Sequence, residues 1–272
     1  MSIIFPIIVL IILISMIYLY IQNRFIQVEY ININTKLSFE PNNLSILLIT
    51  DTHFPRQNVN IKRLLSHIKN INPNIIMLGG DIINCGRKIP CKKTEAFIRQ
   101  ITQISDVYAV LGNHEHSNAE LNKYLSILIK YNVSVMENSV SIIKYGNKSI
   151  EIIGLKCWRN FNKNYSMCHT SKNADLRLIL THMSPPIDDI KKLDKKTIIM
   201  AGHEHGGQII LPFMGGVISP DLGFFPKYYN GLYELSDKIN LVMSRGIGKS
   251  RFPWRINNRP HLPVIILGTL VN

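Results

Sequence analysis

Apolar positions along the chain fall into two kinds of pattern. The first is an unbroken run from Ile3 to Ile21, IIFPIIVLIILISMIYLYI, nineteen residues without a charge. A helix rising about 1.5 Å per residue would, over that length, nearly span a hydrocarbon core of roughly 30 Å. Tyr18 and Tyr20 stand at its far end, where amphipathic rings favour the membrane interface, and Arg24 follows. A cleaved signal peptide wants a basic leading region and a small-residue cleavage site; neither is present, so the run reads as an uncleaved membrane anchor. Arg24 and Lys36 follow it and no Lys or Arg precedes it, which favours a cytoplasmic C-terminal domain.

The second pattern is a rhythm of short apolar runs and amphipathic stretches. Leu44 to Thr50, Asn74 to Leu78 and Asp106 to Leu111 suit buried strands. Between them, Asn60 to Ile71 spaces Ile61, Leu64, Leu65, Ile68 and Ile71 at helical intervals, and Thr94 to Ile104 also predicts a helix. Further on, turn residues separate strand-like runs at Val133 to Val135, Ser139 to Lys144, Ser149 to Gly154, Leu176 to Leu180 and Thr197 to Ala201. Gly231 to Leu235, Leu241 to Ser244 and Val264 to Leu267 complete a strand-rich end. This order predicts an α/β fold with two packed sheets flanked by helices. It divides the chain into an anchor (1–23), a linker with a leading strand (24–43) and one catalytic-size domain (44–272), which 272 residues at 46% hydrophobic content can supply with a core.

The formal net charge of +13 points to an anionic partner: a phosphate-bearing substrate, a lipid headgroup surface or nucleic acid. Part of the excess also fits a general richness in Ile, Asn and Lys. Cys85, Cys91, Cys157 and Cys168 form no CxxC pair, which argues against a zinc knuckle and leaves a Cys85–Cys91 disulfide open.

Metal-competent side chains stand immediately after five of the strand-like runs: Asp51 and His53, Asp81, Asn113 and His114, His182, and His203 with His205. One aspartate after a strand is usually a helix cap; five such ends are hard to explain by capping. In open α/β sheets, ligand sites form outside the carboxyl ends of strands, so these residues can share one rim. Oxygen and imidazole donors without thiolate suit first-row divalent ions, and the set is too large for one. Two ions sharing a carboxylate can clamp a phosphoryl group and acidify a water.

The blocks Asp51-x-His53, Gly80-Asp81, Gly112-Asn113-His114-Glu115, Thr181-His182 and Gly202-His203-x-His205 resemble, in order and rough spacing, the signature of the calcineurin-like metallophosphoesterases. The ending Gly202-His203-Glu204-His205-Gly206-Gly207-Gln208, a GHxHGGQ motif, is similar to a membrane-associated bacterial-type branch that includes hydrolases resembling those acting on UDP-2,3-diacylglucosamine. The resemblance implies a four-layer α/β/β/α sandwich behind an N-terminal transmembrane helix. It implies that Asp51, His53 and His205 hold one divalent metal, that Asp81 bridges, and that Asn113, His182 and His203 hold the second. Mn is the first expectation for both, with Fe or Zn as alternatives. His114 is then the catalytic residue that protonates the leaving oxygen or stabilises the phosphoryl group, after attack by a metal-bound hydroxide. The implied enzyme is a metal-dependent phosphoric ester hydrolase. Its substrate would be an anionic phosphate ester, a phosphodiester, pyrophosphate or phosphomonoester, lipid- or nucleotide-linked and met at the membrane. A tethered phosphodiesterase or nuclease with a soluble substrate, and a non-catalytic scaffold of the same fold, are the alternatives; nucleic acid is not favoured.

Other features are expected to be structural. Glu204 should point away from the metals, His116 should be an exposed loop residue, and His67, His169 and His261 are read as structural or surface residues. Gly248-Lys249-Ser250 is not a phosphate-binding loop, because Met243 stands where that loop needs glycine. Arg245, Lys249, Arg251, Arg255 and Arg259, interleaved with Phe252, Pro253 and Trp254, suggest either a wall facing anionic headgroups or a solvated loop with one packed tryptophan.

Overall fold

The computed structural model describes residues 4–55, 57, 59–157, 161–249, 252 and 254–269. In chain order it contains α1 (Ile4–Arg24), β1 (Gln27–Asn34), β2 (Leu44–Ile49), α2 (Ile61–Ile71), β3 (Ile75–Gly79), α3 (Cys91–Ile101), β4 (Asp106–Val110), α4 (Asn113–His116), α5 (Leu121–Lys130) and β5 (Ser134–Val135). Then come β6 (Ser139–Tyr145), β7 (Lys148–Gly154), α6 (Phe161–Ser166), β8 (Leu176–Leu180), α7 (Ile187–Ile190) and β9 (Thr197–Ala201). The two-residue strands β10 (Ile210–Leu211), β11 (Gly215–Gly216), β12 (Ile218–Ser219) and β13 (Gly223–Phe224) precede β14 (Gly231–Glu234), β15 (Ile239–Met243) and β16 (His261–Gly268).

Two six-stranded sheets form the centre, in orders β1-β16-β2-β3-β4-β5 and β14-β15-β9-β8-β7-β6. Strict alternation along the strands explains why they stack. In the first sheet Ile46, Leu48, Ile75 and Met77 join Ile150, Ile152, Leu176, Leu178, Ile198 and Met200 of the second in one core between the sheets. The intervening Leu47, Ile49, Ile76 and Leu78 point outward and pack with Leu64 and Ile68 of α2, Phe97 and Ile98 of α3 and Leu128 of α5. On the far side Ile153, Ile179, Ile199 and Leu241 meet Phe161 of α6 and Ile190 of α7. This is the expected four-layer α/β/β/α sandwich, with a fourth layer reduced to two short helices.

Helix α2 shows how local sequence fixes an element. Its apolar stripe is buried at Leu64, Leu65 and Ile68, the Asn60 side chain accepts from the amides of Lys62 and Arg63, and Asn72 ends it in the left-handed conformation. An N-cap of this kind contributes about 1 kcal/mol. The leading strand of the linker is β1, which pairs in parallel along its whole length with β16.

Helix α1 is apolar enough to cross a membrane, with a mean hydropathy of 2.8 and none of its apolar window buried against the protein. Only its last turns touch the domain. Asn23 donates to the carbonyl of Arg255 and accepts from the Arg255 amide, and the Asn257 amide donates to the Tyr18 hydroxyl. All four cysteines are free thiols, so the Cys85–Cys91 disulfide left open by spacing is not formed.

Candidate metal centre and active site

Within each sheet the site-bearing strands run parallel: β2, β3 and β4 in one, β8 and β9 in the other. Their carboxyl ends therefore lie on common rims, and the rims meet. Asp51, His53 and His205 bring one donor atom each within 4.8 Å of one another, as do Asp81, His182 and His203. A third group, His53, Asp81 and His114, overlaps both. Every side chain expected at the site is thus present in one place. Asn113 joins through its Oδ1, 3.1 Å from His182 Nε2.

The protonation states of the rings follow from fixed backbone partners. His182 Nδ1 lies 2.9 Å from the carbonyl of Gly79, an acceptor, so Nδ1 carries the proton and Nε2 presents a lone pair. That lone pair faces His203 Nδ1 at 3.1 Å, Asn113 Oδ1 and Asp81 Oδ2 at 3.3 Å. His203 Nε2 in turn lies 3.3 Å from the Asp221 carboxylate, leaving its Nδ1 as an acceptor. Acceptors converging on acceptors at these distances fit a cation. The other cluster is alike: His53 Nε2 is 3.3 Å from His205 Nε2, which is 3.6 Å from Asp51 Oδ1, a buried oxygen with no hydrogen-bond partner. His114 is different. Its Nδ1 accepts from the Cys85 amide at 3.1 Å, so its proton sits on Nε2, 3.8 Å from Asp81 Oδ2.

Electrostatics point the same way. Asp51 and Asp81 are almost fully buried, and among the described residues their ion-pair contacts are all to histidine. Burial pushes the Asp81 carboxyl up, but the imidazoles of His182, His53 and His114 outweigh it and hold it far below the usual range. Burial pushes His182 down, yet Asp81 and Asp51 raise it to about 10, so without a cation Nε2 takes up a second proton toward Asp81, and its lone pair is presented to a cation that displaces that proton. His53, dominated by burial, falls to about 4.

The backbone is held in unusual states to achieve this. Asp51, His53, Asp81, His203 and His205 all have φ between 47° and 72°, the left-handed region, at roughly 1–2 kcal/mol each. At Gly112 an added Cβ would stand 2.1 Å from Asp81 Oδ1, so only glycine lets the two loops touch. Gly206 and Gly207 take φ of 64° and 66° as the chain turns past the metals' rim.

A family model described as calcineurin-like phosphoesterase matches residues 44–207. The chain belongs to that family. This phosphoesterase is similar to YkuE, an uncharacterized metallophosphoesterase of Bacillus subtilis, at 27% identity over 210 residues, 76% of this chain and 72% of that protein. It is similar to the phosphodiesterase YaeI of Escherichia coli at 25% identity over 199 residues, 72% and 70% of the two chains. A transmembrane protein with metallophosphoesterase domain from Danio rerio is 19% identical over 249 residues, 85% of this chain and 55% of that one.

The phosphoesterase also uses residues that the sequence reading did not single out. Glu115 is fully buried and accepts from the amides of Asp81, Ile83 and Gly112 at 2.8 to 2.9 Å, tying the ends of β3 and β4 together. Burial raises its carboxyl to about 7. Asn258 donates to the carbonyls of His205 and Gln208 and so braces the turn that carries His205. Gln208 is buried beside the metals' rim with neither amide atom hydrogen-bonded. The Glu of GNHE and the Gln of HGGQ were visible signals.

Other expectations are corrected. His116 is not an exposed loop residue but part of α4, 3.1 Å from Glu137. His261, read as a structural or surface residue, is structural: it is fully buried, with its Nδ1 accepting from the Arg245 amide and its Nε2 2.8 Å from Glu29. Arg245 and Arg255 face inward, not toward headgroups. Arg255 donates to the carbonyls of Arg245 and Gly248 and to Asn258, and Arg245 donates to the side-chain oxygens of Asn230 and Gln27. Trp254 is exposed, not packed. Arg251, Pro253 and Ser250 lie outside the described residues. Glu204 belongs to none of the three metal-competent groups; its carboxylate accepts from the Ser219 hydroxyl and lines a neighbouring cavity of about 450 Å³.

Proposed function

We propose that the chain is a two-metal phosphoesterase that hydrolyses a phosphate ester at a membrane surface, with α1 as its anchor (1–23), β1 in the linker (24–43) and the catalytic domain (44–272) on the cytoplasmic side. The observation that carries this is the contrast between His182 and His114. Both rings lie beside Asp81, but backbone partners leave a lone pair on His182 Nε2 and a proton on His114 Nε2. One ring is placed to bind a cation, the other to donate a hydrogen bond into the cleft.

Asp51, His53 and His205 would hold one divalent ion, Asn113, His182 and His203 the other, with Asp81 between them; Mn is the proposed metal, ahead of Fe or Zn. Such a pair supplies Lewis-acid polarisation of phosphoryl oxygens and a water acidified toward neutrality. The protein does the rest. The cleft of about 290 Å³ lined by Asp81, Asn113, His114, His203, His205 and Gln208 admits a phosphoryl group at the rim. His114 Nε2–H faces that cleft and would donate a hydrogen bond that stabilises charge on the phosphoryl or leaving oxygen as the ester bond breaks. The Cys85 amide keeps the proton on the correct nitrogen. Glu115 fixes Asp81 and the Gly112 turn, so neither loop relaxes when charge moves. The sharper form of the proposal is a phosphodiester or pyrophosphate in a lipid-linked or nucleotide-linked substrate, favoured by the anchor and the net positive charge.

The test is hydrolysis of bis(p-nitrophenyl) phosphate by full-length protein loaded with Mn, alongside elemental analysis. Bound metal and chelator-sensitive turnover are expected, with Asp81→Asn lowering turnover on the order of 10³-fold. Metal-free, inactive protein would favour a scaffold instead, and an active Asp81→Asn variant would refute the bridging role.

A further inference from the structure

The segment 209–225, IILPFMGGVISPDLGFF, carries a single charge, Asp221, and that one is turned to His203. It folds into the two hairpins β10–β11 and β12–β13. Phe213 and Met214 at the first turn, Leu222 at the second, and Phe224 and Phe225 on the strand that leaves it are all exposed to solvent. Isolated exposed apolar residues are ordinary, but a run of five aromatic and aliphatic side chains on two adjacent hairpins marks an interaction surface.

The occupant is indicated by what the hairpins are joined to. Asn257 donates through its amide to Tyr18 of α1 and through its side chain to the carbonyl of Ile210, at 3.1 Å in both cases. The Ile210 amide donates to Ile256. Residues 255–257 are therefore clamped between the end of the apolar helix and the root of the hairpins. Arg24, Lys249 and the exposed Trp254 line a cleft at the foot of α1, the composition of a headgroup-level belt. The same hairpins wall the metal cleft through Ile218, Ser219 and Pro220.

We infer that the hairpins are a second membrane contact, dipping their tips into the bilayer beside α1 so that the metal cleft opens at the lipid surface. The substrate this arrangement fits is a phosphate ester carried on a lipid, presented with its polar bond at headgroup depth. That last step rests on the hydrolytic proposal above; the membrane contact itself does not.

The test uses the full chain in vesicles of phosphatidylcholine with phosphatidylglycerol. Cys85 and Cys91 are replaced by serine, and an environment-sensitive NBD label is placed at Phe213→Cys, at Phe224→Cys in a second protein, and at Ile129→Cys on the exposed face of α5 as reference. The two hairpin labels are expected to emit at shorter wavelength than the reference and to lose at least half their intensity to nitroxide-bearing lipids, the reference losing none. Water-like emission quenched by aqueous iodide at both hairpin positions would overturn the inference. So would short-wavelength emission untouched by nitroxide lipids, which would mean that protein, such as a second copy of the chain, covers the tips. No turnover enters the readout, so a catalytically inert protein gives the same answer and the failure of one proposal is separable from that of the other.

Discussion

The metal rim and the hairpins beside it break the ordinary burial rule in opposite directions. At the rim, ionisable side chains are buried: Asp51 and His182 have no exposed surface, and five of the metal-competent residues sit on left-handed backbone. On the hairpins, phenylalanines and a methionine stand in solvent although the hairpins themselves are tied to the domain through Ile210, Ser219 and Asp221. Each departure costs free energy in the isolated chain and is offset only by something the chain does not itself contain. In the proposals above, that something is a pair of cations for the rim and lipid for the hairpins. The comparison teaches that the same physical test, an environment mismatched to side-chain chemistry, finds both kinds of site.

Substitutions can break the comparison, and the rim should be far more sensitive than the hairpins. Replacing His114 with Ala removes the Nε2–H donor while leaving the metal cradle; turnover of a phosphodiester should fall on the order of 10²-fold with metal content unchanged. Unaltered turnover would remove His114 from the chemistry. At Gly112, alanine should drive Asp81 aside, lowering metal affinity measured by calorimetry and destabilising the fold by about 1–3 kcal/mol. Equal affinities would show that the close approach is dispensable.

A smaller effect concerns pH. Burial holds the His261 imidazole down to about 4, against an ordinary 6.5, since its Nδ1 already accepts from the Arg245 amide. The unfolded chain takes up that proton first on acidification. Stability is therefore complete above about pH 6.5 and declines as pH falls toward 4, by about 3 kcal/mol over the window. Urea midpoints between pH 4.5 and 7 should show the slope, and His261→Gln should flatten it; parallel profiles would reject the assignment. Smallest of all, Phe213→Ser on its exposed turn should change the unfolding free energy in detergent by no more than about 0.5 kcal/mol. A larger loss would mean that the side chain is packed.

Much of this was legible in the sequence because the signals are local. The runs from Leu176 to Leu180 and from Thr197 to Ala201 became β8 and β9 with the same bounds, since strands buried on both faces read as continuous apolar segments. The polar residues after each strand were visible for the same reason. Helix α5 went unassigned although Tyr124, Ile127 and Leu128 keep helical spacing, because Asn and Lys interrupt a short stripe. The inward turn of Arg255 depends on contacts between distant segments, and the basic composition around it pointed the other way. The hairpins were hidden because two-residue strands carry no alternation to detect.

The most direct test of the central claim is a Mn titration of the metal-stripped full chain followed by electron paramagnetic resonance. Two equivalents per chain are predicted, with an exchange-coupled signal that Asp81→Asn abolishes. A single, uncoupled site, or coupling that survives Asp81→Asn, would contradict a dinuclear centre bridged by that carboxylate.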